Sequence, residues 1–209
     1  MPEDNASAHT IRQEFRGIVI FIAFIWAVHL AGILIHSLEL SQTGMRDIGL
    51  TPRTLKGLTG IITMPFLHVS WGHLVSNTIP LVVMLTLLAG SRARSPEIVT
   101  GIMLVAGILL WTFGRPATHV GASGLVFGLM SFLVVSGLLE KRLGPILVSI
   151  LVGFMYGGTF FAGIMPFQHD PGISWDGHLW GGVAGALVAF FMARGLISET
   201  TDKFGAPSV

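Results

Sequence analysis

Apolar residues run through this chain in long blocks, each broken by a short polar or charged segment. Crossing about 30 Å of hydrocarbon takes about 20 residues at about 1.5 Å each. Stretches of that order without Asp, Glu, Lys or Arg run approximately Gly17 to Leu38, Pro65 to Gly90, Ile98 to Phe113, Gly121 to Leu139, Leu143 to Met165 and Gly177 to Ala193. They predict an all-α integral membrane protein, a six-transmembrane-helix bundle. The polar first sixteen residues read as a tail, residues 17–195 as the membrane domain and 196–209 as a second tail.

Two connections are long for so small a protein, Glu39 to Met64 and Pro166 to Asp176. The first carries spaced apolar residues (Met45, Ile48, Leu50, Leu55, Leu58, Ile61, Ile62) that predict interfacial helices lying on the bilayer, with a solvated loop as the plainer alternative. Basic residues favour the cytoplasmic side. With the N-terminus inside, Arg12, Arg16, Arg92, Arg94, Lys141, Arg142, Arg194 and Lys203 lie inside, and Arg46, Arg53, Lys56 and Arg115 outside. Both termini are therefore expected in the cytoplasm, in a multi-pass protein of the plasma membrane. No repeated half stands out, unlike many transporters.

Composition sharpens this picture. The chain is 52% hydrophobic and 11% charged, beyond what a soluble domain needs for one core. It has no Cys, which excludes disulfides and thiolate metal sites. A net charge of +1 without a basic stripe points away from nucleic acid. The spans hold no carboxylate, Lys or Arg, so histidines are the groups in them that titrate near neutral pH. Ion-coupled transporters and aspartyl proteases need buried carboxylates. A serine hydrolase needs a hydroxyl, an imidazole and hydrogen-bond donors, all uncharged at rest.

Three clusters carry that chemistry. Gly121-Ala122-Ser123-Gly124 falls where an outer loop opens the fourth span, so Ser123 sits at a helix N-terminus whose unpaired N–H groups can hold an oxyanion. Helix packing is the alternative role for such small residues. His178 stands near the outer end of the sixth span beside Gly177, Gly181 and Gly185, a smooth face matched by Gly124 and Gly128 on the fourth. Close packing of those faces would bring His178 to Ser123; an imidazole bonded across helices for stability is the alternative. His73 and Asn77, spaced i, i+4 on the second span, offer two neutral donors to one point, or an interhelical hydrogen bond.

Taken together these residues resemble the rhomboid family of intramembrane serine proteases, over nearly the whole membrane portion. The resemblance rests on His68, His73 and Asn77 in the second span, Gly121 to Gly124 opening the fourth, and the Gly-His-x2-Gly-x3-Gly run at 177 to 185 in the sixth. It implies that Ser123 is the nucleophile and His178 its base. It also implies that His73, Asn77 and the Ser123 backbone N–H form the oxyanion hole, with no cofactor and with single-span membrane proteins as substrates. Gly121, Gly124, Phe127, His68, Gly181 and Gly185 would support the site. Asp176, two residues before His178, points elsewhere on any helix and makes a poor third member. Phe127 stands where many members have a Tyr; stacking on the imidazole survives, the hydroxyl's bond does not. The first outer loop lacks the Trp-Arg pair of many members, and the fifth span's Gly153, Gly157, Gly158 and Gly163 would permit the bending of a lateral gate or serve tight packing. His29, His36, His119 and His169 read as structural or solvent-facing. Rival readings are a metal site on His68, His73 and His178, sparse without carboxylate or thiolate ligands, and a non-catalytic adaptor binding membrane segments.

Overall fold

The computed structural model describes residues 3–40, 44–91, 95–166 and 174–204, with side chains over 12–40, 44–91, 95–166 and 174–195. His169 and most of the second long connection lie outside the described residues. The described chain is all-α: α1 (Glu3–Ser37), a short α2 (Gly60–Thr63), α3 (Trp71–Ser91), α4 (Ser95–Phe113), α5 (Ser123–Glu140), α6 (Leu143–Ile164) and α7 (Trp175–Phe204). Five of these, α1 from Arg12, α3, α4, α5 and α6, are long and apolar enough to cross a membrane. In α7, Gly177, Gly181, Gly182 and Gly185 dilute the apolar character around His178 and Trp180. Helix α1 begins well inside the residues read as a tail, so apolarity marks the membrane portion of a helix and not its ends.

The second predicted span starts late. Between Pro65 and Trp71 the chain makes a 3-10 turn (Met64–Phe66) and then extends at Leu67, and α3 opens where the Ser70 hydroxyl accepts the His73 N–H at 3.1 Å. His68 consequently lies on the loop before the helix rather than in the span, a correction to the sequence-based placement. Apolar composition runs through both segments; the capping serine separates them.

Helix α5 is the centre of the bundle. Of its apolar span 61% is buried, against 17% in α6 and 11% in α1. It packs against α3, α4, α6 and, most extensively, α7. Glycine explains the α5–α7 contact. A Cβ added at Gly181 or Gly185 would fall onto the carbonyl of Gly124 or Gly128, so the two backbones touch without intervening side chains. Large apolar residues left outside, such as Phe24, Ile79, Phe154 and Phe161, are those a lipid-facing surface needs.

The first long connection, where the sequence predicts interfacial helices, forms short helical turns of three to five residues. Gly57 and Gly60 let it fold back on Thr51 and Leu50. Ile48, Leu55, Leu58 and Ile62 are exposed, but Leu50 is fully buried and pairs with His119 in an antiparallel bridge. Arg53 anchors the loop, donating to the carbonyls of Thr112 (3.2 Å) and Gly114 (2.8 Å) at the C-terminus of α4, while Trp111 Nε1 donates to the Thr54 carbonyl at 3.0 Å. This chain thus secures the loop without a Trp-Arg pair inside it.

Candidate active site

Ser123 is the first residue of α5 after the cap residue Ala122, so its own N–H is among the donors a helix leaves unpaired. The turn before it is fixed on both sides. Gly121 has φ of +117°, which disfavours other residues, and a Cβ there would stand 2.6 Å from His73 Nε2. Its N–H donates to the Met64 carbonyl at 2.9 Å. The Ala122 N–H points at His68 Nε2 at 3.4 Å, so His68 accepts and is neutral. Loop placement is what allows His68 to reach this backbone.

His73 and Asn77 converge on Gly121, as their i, i+4 spacing predicts: the Asn77 amide nitrogen lies 3.8 Å from the same added Cβ. One Asn77 amide hydrogen is spent on the His73 carbonyl at 2.9 Å, leaving the other available. His68 and His73 meet edge to face with ring centroids 5.1 Å apart.

On the other side, the His178 ring stacks on Phe127 with centroids 4.1 Å apart and planes 6° from parallel. Phe127 lies one helical turn below Ser123 on the same face. His178 Nδ1 is 2.9 Å from the Gly163 carbonyl. A carbonyl only accepts, so Nδ1 carries a proton, and in its neutral form the ring presents a lone pair at Nε2. For Gly163 the sequence leaves bending and tight packing both open. A Cβ there would overlap the Phe127 ring and stand 3.3 Å from His178 Nδ1, so it is a close-approach position. Gly153, Gly157 and Gly158 meet nothing within 4 Å.

Asp176 is turned away from this pair. Its carboxylate accepts the Arg115 N–H at 2.8 Å and Arg115 Nη2 at 3.1 Å, and lies 3.7 Å from His119 Nε2. His119 is buried, which holds its pKa below the ordinary histidine value despite the nearby Asp176 carboxylate. His29 is also buried, with Nδ1 donating to the His68 carbonyl at 3.1 Å, whereas His36 is exposed. The Ser123 hydroxyl makes no hydrogen bond among the described residues, so its contact with His178 is open in this arrangement.

These features define a multi-pass helical membrane protein with a serine at a helix N-terminus, flanked by neutral donors on one side and an oriented imidazole on the other. The chain belongs to the rhomboid family: the family's Rhomboid domain model matches residues 56–195. It is similar to an uncharacterized protein of Mycobacterium tuberculosis, 35% identical over 184 residues covering 84% of this chain and 74% of that protein. A second uncharacterized relative, from Mycobacterium leprae, is 33% identical over 184 residues covering 84% and 70%.

Proposed function

We propose that the chain is a six-span intramembrane serine endopeptidase, α7 being the sixth span, that cleaves single-span membrane proteins near their outer boundary. Both termini lie in the cytoplasm, as the distribution of Lys and Arg favours, and the host membrane is the plasma membrane. The observation that carries the reading is the orientation of His178. Its Nδ1–H is held by Gly163 and its face by Phe127, a residue one turn from Ser123, which leaves Nε2 free to accept a proton.

Ser123 Oγ attacks the scissile carbonyl carbon while its proton passes to His178 Nε2. The resulting oxyanion is held by the Ser123 N–H, His73 and Asn77. The intermediate collapses, the imidazolium gives its proton to the departing amine, and water releases the acyl group by the same route. The Gly163 carbonyl takes the orienting role that a carboxylate has in a triad. No cofactor enters these steps.

A non-catalytic adaptor that binds membrane segments is favoured by one observation, the open contact between Ser123 and His178. Fluorophosphonate labelling of the detergent-purified chain decides between them. The protease reading expects labelling of the wild type and none of Ser123→Ala or His178→Ala, with both variants folded. A wild type that stays unlabelled beside an active control enzyme would overturn it in favour of the adaptor.

A further inference from the structure

The glycine faces of α5 and α7 bring two backbones into contact, but a smooth face has no side-chain knobs to stop one helix sliding or turning on the other. Something else must set the register between the segment carrying Ser123 and the segment carrying His178. The outer ends of the two helices carry a polar cluster that the chemistry does not use.

Asp176 and His119 are both 3% exposed at the side chain, far into the range where an unpaired charge or polar group is costly. Asp176 Oδ2 accepts the Arg115 backbone N–H at 2.8 Å and Oδ1 accepts Arg115 Nη2 at 3.1 Å, a two-point grip on one residue. His119 Nε2 lies 3.2 Å from the Arg115 carbonyl, which fixes its proton on Nε2. Nδ1 then accepts the Ser174 hydroxyl at 2.6 Å. Ser174 Oγ in turn accepts the Gly177 N–H at 3.2 Å and so caps α7. Arg115 and His119 precede Ser123 by eight and four residues; Ser174 and Asp176 precede His178 by four and two. The antiparallel bridge of His119 with Leu50 ties the cluster to the first outer loop as well.

We propose that Arg115, His119, Ser174 and Asp176 form a clamp that sets the register of α7 on α5, making Asp176 a positioning residue for His178. The clamp sits at the outer mouth of the site and touches neither the serine nor the imidazole. It holds the two entering chains at fixed relative depth, so that His178 meets the Gly163 carbonyl and the Phe127 face together. This inference rests on the proposed proteolytic reading for its effect on rate, though not for its effect on His178.

The test replaces Asp176→Asn, which keeps the size and one acceptor oxygen but removes the charge that grips Arg115. Histidine nitrogen-15 spectra of the detergent-solubilised full chain report the His178 tautomer, its signal assigned by loss in His178→Gln. The clamp predicts that Asp176→Asn moves the His178 signals away from the Nδ1–H pattern and slows fluorophosphonate labelling at least about tenfold, as small misplacements of reacting groups do. A lower thermal midpoint with unchanged His178 signals would make the cluster merely structural and overturn the proposal. Should Asp176→Asn fail to fold, Arg115→Gln retains the backbone N–H bond and carries the same expectation. If the wild type itself does not label, the proteolytic reading falls, while the His178 spectra still decide the clamp.

Discussion

His178 depends on two neighbours that offer it no charge. The Gly163 carbonyl selects the tautomer and the Phe127 ring sets the plane, so the imidazole is oriented by a backbone dipole and a flat apolar face. Exchanging Phe127→Leu keeps an apolar side chain of similar bulk but removes the face. An aromatic contact of this kind is worth about 0.5–1.5 kcal/mol, which corresponds to about a two- to thirteenfold loss. Labelling of Phe127→Leu by a fluorophosphonate should therefore slow by that factor with the fold retained, and an unchanged rate would remove the stacking from the account. Ser123, His178, His73 and Asn77 stand out in the sequence as candidates because their motifs, each weak alone, together resemble those of the rhomboid family. The Gly163 contribution does not, because its functional group is a carbonyl that every residue has. Nor does sequence reveal that His68 sits on a loop, since its neighbours are as apolar as the helix that follows.

At the scale of helices, glycines with the same composition signal have opposite roles. Gly124 and Gly128 of α5 and Gly181 and Gly185 of α7 are in backbone contact with the opposite helix, whereas Gly153 and Gly157 on α6 face open space. Substitution separates the two kinds. Gly185→Ala forces a Cβ onto the Gly128 carbonyl, and backbone cannot move aside as a flexible side chain can, so a loss of about 1–3 kcal/mol or more is expected. Gly157→Ala meets nothing and removes a poor helix former, which favours the helix by up to about 1 kcal/mol. Thermal midpoints of the two variants in one detergent should move in opposite directions, and parallel shifts would contradict the packing described. The spacing of 124, 128, 181 and 185 made the close pair legible in advance. For the fifth-span glycines the sequence leaves bending and tight packing open, because spacing does not say whether a neighbour is present; Gly163 is crowded, whereas Gly153, Gly157 and Gly158 meet nothing within 4 Å.

Across the whole molecule, apolar helices determine which segments enter the membrane and buried polar contacts at one end of the bundle determine how their ends meet. The apolar blocks made the first of these readable from sequence, while the second joins residues about sixty positions apart, Arg115 and Asp176, that no local pattern links. The same polar contacts should give the protein an acid sensitivity. His119 is neutral in the fold because burial outweighs the pull of Asp176, so its folded pKa lies below the unfolded value of 6.5. Above that value His119 is neutral in both states and contributes no pH dependence. As pH falls below 6.5, the unfolded chain takes up a proton that the folded chain resists, and stability declines until the folded pKa is reached. Groups facing His119 in this window are Asp176 and Ser174 from the α7 side and Arg115 from its own loop. His119→Gln keeps a polar side chain able to accept and donate but cannot titrate. Its thermal midpoint should fall less than that of the wild type between pH 7 and pH 5, measured in one detergent at constant ionic strength. Equal slopes would show that His119 is not the group that takes up the proton, leaving the acid response to other residues of the chain.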